Sequence, residues 1–186
     1  MKDRIMHGYI EEIKDKGMKF TMDDLAGRLG ISKRTLYQHF SSKVDILDAI
    51  IEQTFNDVDE QTKKIVEDDS LSLMDKIKGV ITVVPNHVEF LDLRVLDQMK
   101  KYYPEQWRIV HAGLNDWDEL RVLIEQGIQE GLIKDMNVDL IMKLLIDSTN
   151  ATLDQTFFLK NNISVQEALS SIVDILLHGL AVENKS

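Results

Sequence analysis

The sequence predicts an all-α protein: an amino-terminal bundle of three helices joined to a larger helical body, about nine helices in total. Apolar residues recur at spacings of three and four along almost every segment, and no stretch keeps a period of two. Only two prolines interrupt 186 residues. Hydrophobic residues make up 44% of the chain and charged residues 29%, which supports a packed core and argues against disorder.

Taken in order, Met6, Tyr9, Ile10 and Ile13 form one stripe on a first helix, which Gly17 can end with a left-handed backbone. Thr21-Met22-Asp23-Asp24 reads as a capping box that opens a second helix running to about Leu29. Gly30-Ile31-Ser32 is a tight connection, with Ser32 as cap of a third helix from Lys33 to about Phe40. Ser42-Lys43-Val44-Asp45 opens a long fourth helix with Val44, Leu47, Ile51, Phe55 and Val58 inside. After the polar break at Glu67-Asp68-Asp69-Ser70, a fifth helix carries Met74, Ile77, Ile81 and Val84 and stops before Pro85. A sixth spans Phe90 to Lys101, and Pro104 starts a seventh that Gly131 closes. An eighth runs from about Asn137 to Lys160, and Ser164 caps a ninth.

A net charge of −10 argues against phosphate binding by the chain as a whole, but the charge is unevenly distributed. Residues 1–50 hold nine Lys/Arg against eight Asp/Glu, leaving 13 against 24 for the remainder. From Leu25 to Val44 there are four cations, Arg28, Lys33, Arg34 and Lys43, and no acid. The absence of cysteine excludes disulfides, thiolate metal sites and cysteine nucleophiles, and is compatible with a reducing compartment. No apolar run approaches the roughly 18 residues needed to cross a bilayer, and Met1 to Arg4 does not open a secretory signal, so a cytoplasmic protein without a membrane partner is expected.

Thr21 to Phe40 has the parts of a helix-turn-helix: two short helices, a glycine-containing turn, and a second helix with one apolar and one basic edge. Leu25, Ala26, Leu29, Ile31, Leu36 and Phe40 supply the inner packing. Through the strings Phe20-Thr21-Met22-Asp23-Asp24-Leu25-Ala26, Gly30-Ile31-Ser32-Lys33-Arg34-Thr35-Leu36-Tyr37-Gln38-His39-Phe40 and Ser42-Lys43, the chain resembles the tetracycline-repressor (TetR/AcrR) family. The resemblance implies a DNA-binding domain over residues 1–45 and a ligand-binding and dimerisation domain over 46–186. It places Lys33, Arg34 and Thr35 at the leading end of a recognition helix, where arginine and lysine can donate to guanine and Thr35 can meet a thymine methyl. Tyr37, His39 and Lys43 match phosphate-holding positions, with core packing a second role open to Tyr37. Gln38 can reach base or phosphate, and the cap residues Thr21 and Ser32 complete the DNA-facing set. Two positions depart from the pattern. Asp23 would repel a nearby phosphate unless it turns away, and Arg34 replaces a small residue, either to read a base or to add a phosphate contact.

The last helix carries Leu169, Val173, Leu176 and Leu180 on one line and Ala168, Ile172, Ile175 and Gly179 on the next, more than one core covers. The eighth helix likewise offers Leu140, Leu144, Ala151 and Phe158 beside Ile141, Leu145, Thr152 and Leu159. A four-helix homodimer interface of the last two helices and their symmetry mates, with Leu169, Ile172, Val173, Leu176 and Leu180 in it, is therefore expected. The resemblance also implies an effector cavity between the fifth and eighth helices, with His87, Phe90, Arg94, Met99, Tyr103, Trp107, His111, Trp117 and Asn150 as candidate lining. The five histidines are scattered, and no phosphate loop, nucleophile elbow or metal-ligand motif occurs, so neither enzyme, cofactor nor metal is expected. The expected function is a ligand-responsive repressor that binds a palindromic operator as a homodimer and responds to a small-molecule effector. The rival is a similar fold whose body docks a protein partner, acting as a co-activator or a DNA-anchored inhibitor.

Overall fold

A computed structural model describes residues 1–180, and among them every regular element is helical. In chain order these are α1 (Lys2–Lys16), a 3₁₀ turn (Gly17–Lys19), α2 (Met22–Leu29), α3 (Lys33–Tyr37), α4 (Lys43–Val66), α5 (Leu73–Ile81), a 3₁₀ turn (Val88–Leu91), α6 (Leu93–Tyr102), α7 (Pro104–Gly113), α8 (Asp118–Gln129), α9 (Val138–Asn150), a 3₁₀ turn (Ala151–Leu153), α10 (Gln155–Lys160) and α11 (Val165–Leu180). The last six residues of the expected 46–186 body lie outside the described residues.

Two compact units result. The first combines residues 1–56 with 85–113, and the second combines 57–84 with the chain from Leu114 onward. In the first, Ile5 and Tyr9 of α1, Leu25 of α2, Leu36 of α3 and Ile46, Leu47 and Ile50 of α4 are fully buried, as are Met18 and Met99. Each such side chain contributes about 1.5–3 kcal/mol by leaving water. In the second unit, Ile77 and Ile81 of α5, Leu120 and Ile124 of α8, Ile141 and Leu145 of α9 and Val173 of α11 form the centre of the core.

Expected and observed helices differ where local side chains compete with the backbone ladder. The expected seventh helix is two, α7 and α8, separated by Leu114 to Trp117. The expected eighth is likewise broken after Asn150: Thr152 Oγ1 donates to the Thr149 carbonyl at 2.7 Å, and Asp154 caps α10 by accepting from Phe157 N–H. α5 ends at Ile81, short of the expected Val84, and the Thr82 that follows donates its hydroxyl to the Lys78 carbonyl at 2.9 Å. α6 begins after Phe90, where the Asp92 carboxylate accepts from the Arg94 N–H.

The expected partner-facing line on the last helix requires correction. Leu169, Val173 and Leu180 are buried within the second unit, because the stripe at spacings of four and three is the one that α5 and α9 receive. Ile172 and Leu176 are half-buried. The apolar side chains left in water are offset from that line: Ile175 of α11 is 73% exposed and Leu159 of α10 70%, with Leu140 and Leu144 of α9 and Phe157 of α10 also exposed.

Close packing inside the first unit is set at Gly113, where an added Cβ would lie 2.4 Å from Phe55 Cε1. Gly113→Ala should therefore cost about 1–3 kcal/mol through displacement of the ring. Gly27→Ala on α2, with nothing within 4 Å of the new methyl, should instead hold or raise stability. Thermal unfolding of both variants checks the pair, and equal midpoints would contradict this packing.

Candidate nucleic-acid interface

α2 and α3 are too short to persist alone, so their ends are fixed by side chains. At the start of α2, Asp24 N–H donates to Thr21 Oγ1 at 3.2 Å while Thr21 N–H donates to Asp24 Oδ2 at 2.8 Å. The Thr21 hydrogen bonds, aided by Lys16 at 3.1 Å, hold the Asp24 carboxyl well below the usual carboxylate range. α2 ends at Gly30, whose φ of 61° is left-handed, and Arg4 Nη2 donates to the Leu29 carbonyl at 2.7 Å. Ser32 then caps α3 by accepting from Thr35 N–H at 3.0 Å, and its hydroxyl lies 2.8 Å from that of Thr35. Buried Leu36 locks α3 in place, which turns Lys33, Arg34, Tyr37 and Gln38 outward. The helix closes at Tyr37, so Gln38 and half-buried His39 sit in the turn that follows rather than on the helix.

The four cations of the basic window have different occupations. Arg28 is held by three carboxylates of α1: its Nε donates to Glu12 at 2.7 Å, with Glu11 at 3.4 Å and Asp15 completing the set. Lys33 reaches back to Asp23 at 2.5 Å, so the acid that departs from the family pattern is paired with the leading residue of α3. Exposed Arg34 has no ion pair among the described residues. Tyr37 is 50% exposed and so is not a core residue.

Lys43 faces inward. Its ammonium donates to the Met18 and Phe20 carbonyls, each at 2.6 Å, and lies 3.9 Å from the centre of the Phe20 ring. Burial pushes the amine down to about 8, opposed by the negative charge of Asp24. On the other side of the same turn, Met18 N–H donates to Gln98 Oε1 of α6 at 2.7 Å. Sequence reasoning missed Gln98, since its partner lies 80 positions away and a lone glutamine on a helix carries no local signal.

The model for bacterial regulatory proteins of the tetR family matches residues 5–50. Across the whole chain, and 98% of the relative, the sequence is 34% identical to the uncharacterized HTH-type transcriptional regulator YvaF of Bacillus subtilis strain 168. The chain belongs to the tetR family. It is therefore a DNA-binding transcriptional regulator and not an enzyme. Its fold is similar to that of the ketosteroid transcriptional regulator KstR2 of Mycobacterium tuberculosis, at a TM-score of 0.75 and 17% identity over 98% of this chain and 95% of that one. It is also similar to the tetR-family regulator PfmR of Thermus thermophilus, at a TM-score of 0.73 and 22% identity over 97% of this chain and 100% of that one.

In this tetR-family chain the candidate effector residues fall in both units. Phe90 and Met99 are buried in the first. There too Tyr103 lies under Lys43 with its phenol pushed up by burial, and the Trp107 and His111 rings are 5.3 Å apart. Half-buried His87 and exposed Arg94, which pairs with Asp92 at 2.9 Å, complete that group. Trp117, whose indole donates to the Leu114 carbonyl at 3.1 Å, and half-buried Asn150 belong to the second unit. None of these lines the open polar groove of about 520 Å³ between α1 and α2, which is bounded by Glu12, Lys16, Asp23, Asp24, Gly27 and Arg28.

If the Lys43 ammonium fixes the turn before α2, Lys43→Met should keep the apolar stem and lose about 1–3 kcal/mol of stability through unsatisfied carbonyls. Chemical denaturation reads this directly. A variant as stable as the parent would show that the two carbonyls need no cation.

Proposed function

We propose that this regulator is a ligand-responsive repressor that binds a palindromic operator as a homodimer. The observation that carries the reading is the leading end of α3: capped by Ser32, anchored by Leu36, and presenting Arg34 to solvent free of any ion pair among the described residues. Residues 1–45 grip DNA in this reading and 46–186 form the sensing and pairing body. Arg34 reads a base edge, and Lys33 exchanges Asp23 for guanine or phosphate as the duplex approaches. Thr35 meets a thymine methyl, while Thr21, Ser32, Tyr37, Gln38 and His39 take phosphates or a flanking base. Lys43 supports this frame from behind rather than touching the duplex.

The exposed apolar side chains Leu140, Leu144, Phe157, Leu159 and Ile175 support pairing of two copies through α9, α10 and α11. Two heads about 34 Å apart then meet successive major grooves, and a small apolar effector held by the body releases DNA by favouring another spacing. The protein acts in the bacterial cytoplasm, where its operator is.

Operator duplexes are obtained by selection from a random pool with the parent protein. Arg34→Ala should then lose about 1–3 kcal/mol on the selected duplex and relax preference at one symmetric pair of positions. Unchanged affinity and preference would remove α3 as the reading head. Ile175→Glu should convert a species of twice 21.4 kDa into one of 21.4 kDa in sedimentation. A parent protein that sediments as a monomer at micromolar concentration would contradict the dimer.

A further inference from the structure

We propose that the DNA-contacting surface extends beyond the helix-turn-helix onto α6, where Lys19, Lys101 and Tyr102 together take a phosphate flanking each half-site. The inference rests on the reading of α3 as the head that meets the major groove. Lys19 ends the first 3₁₀ turn and Lys101 lies in the last turn of α6, yet their ammonium groups converge on one ring, at 5.5 and 5.4 Å from the centre of Tyr102. Next to them Lys100 lies 5.8 Å from the Trp107 ring. All three lysines are exposed, and none has an ion pair among the described residues. The acids nearest in sequence do not neutralise them: Asp97, one turn back on α6, forms no ion pair among the described residues, and Glu105 of α7 faces Arg108 at 3.8 Å. In a chain of net charge −10, like charges gathered around one phenol leave a local positive site that an anion would stabilise.

The Tyr102 hydroxyl responds to this field. Burial would raise it, but hydrogen bonding with Lys19 and the charges of Lys101 and Lys19 bring it below the ordinary tyrosine value. Two ammonium donors and a hydroxyl match the acceptor oxygens of a phosphodiester.

Position selects DNA as the source of that phosphate. Lys19 stands two residues before Thr21, so its Cα is within about 7 Å of the α2 cap. From the first turn of α2, Asp23 reaches Lys33 of α3, so the lysine pair and the leading end of the reading helix share one end of α2. α6 is held to this edge by Gln98, one turn before Lys101, through its bond to Met18 N–H. Gly17 permits that approach: its φ is +69°, and a Cβ there would lie 2.3 Å from Gln98 Oε1.

The test uses the full chain and the selected operator in two lengths, one trimmed to the half-sites and one extended by about ten base pairs on each side. Lys101→Ala, Lys19→Ala, Tyr102→Phe and Arg34→Ala are titrated against both at several salt concentrations, after circular dichroism confirms that each folds. On the extended duplex, each lysine variant should bind several-fold more weakly, with a log–log salt slope lower by about one unit per lost lysine contact. Tyr102→Phe should weaken binding with the slope unchanged. On the trimmed duplex, the parent and these three variants should converge. Parent-like affinity and slope for Lys101→Ala on the extended duplex would overturn the proposal, as would an equal loss on both lengths. Arg34→Ala separates the two readings: if it loses operator preference while the lysine variants behave as the parent, only the extension onto α6 fails, and if Arg34→Ala is silent as well, the reading head fails with it.

Discussion

Helices of eight and five residues cannot hold their own shape in water, and the architecture of the first unit follows from that constraint. α2 and α3 form because their free ends are satisfied from outside: Thr21 and Asp24 at one start, Ser32 at the other, and Arg4 on the Leu29 carbonyl. The turn that leads into α2 is gripped twice, with Lys43 of α4 on the Met18 and Phe20 carbonyls and Gln98 of α6 on the Met18 N–H. These contacts from distant parts of the chain hold α2 and α3 in register and supply the rigidity that their length cannot.

Charge is arranged by the same logic. Three of the four cations in the basic window are engaged inside the protein, Arg28 by α1 carboxylates, Lys33 by Asp23 and Lys43 by carbonyls. An acidic chain that binds DNA needs its free positive charge concentrated where phosphates pass, because a uniformly screened surface would neither attract nor orient a duplex. Arg34 and the two lysines around Tyr102 form no ion pair among the described residues. Of these, only Arg34 stands inside the helix-turn-helix motif.

Motif and fold class were legible because they rest on local chemistry. The capping box at Thr21, the left-handed Gly30, the Ser32 cap and the spacing of Leu25, Leu29 and Leu36 each need only a few neighbouring residues, and the structure places all of them as the sequence implies. Helix breaks at Leu114 to Trp117 and at Ala151 to Asp154 were not legible, since the apolar period continues across both and only side-chain to backbone bonds interrupt it. The choice between two apolar lines on α11 was also beyond sequence reasoning: both are amphipathic, and only the placement of α5 and α9 decides that Val173 is buried and Ile175 exposed.

By itself, then, the sequence determined the all-helical class and the helix-turn-helix, because periodicity and capping act within one or two turns. Only the tertiary structure decided which charges remain free. Asp23 with Lys33, Lys43 with the Met18 carbonyl, Gln98 with Met18 and Lys19 beside Tyr102 are pairings across turns and between helices. Whether a lysine faces a phosphate or a carbonyl depends on what the folded chain brings within about 3 Å of it, and no local pattern encodes that distance.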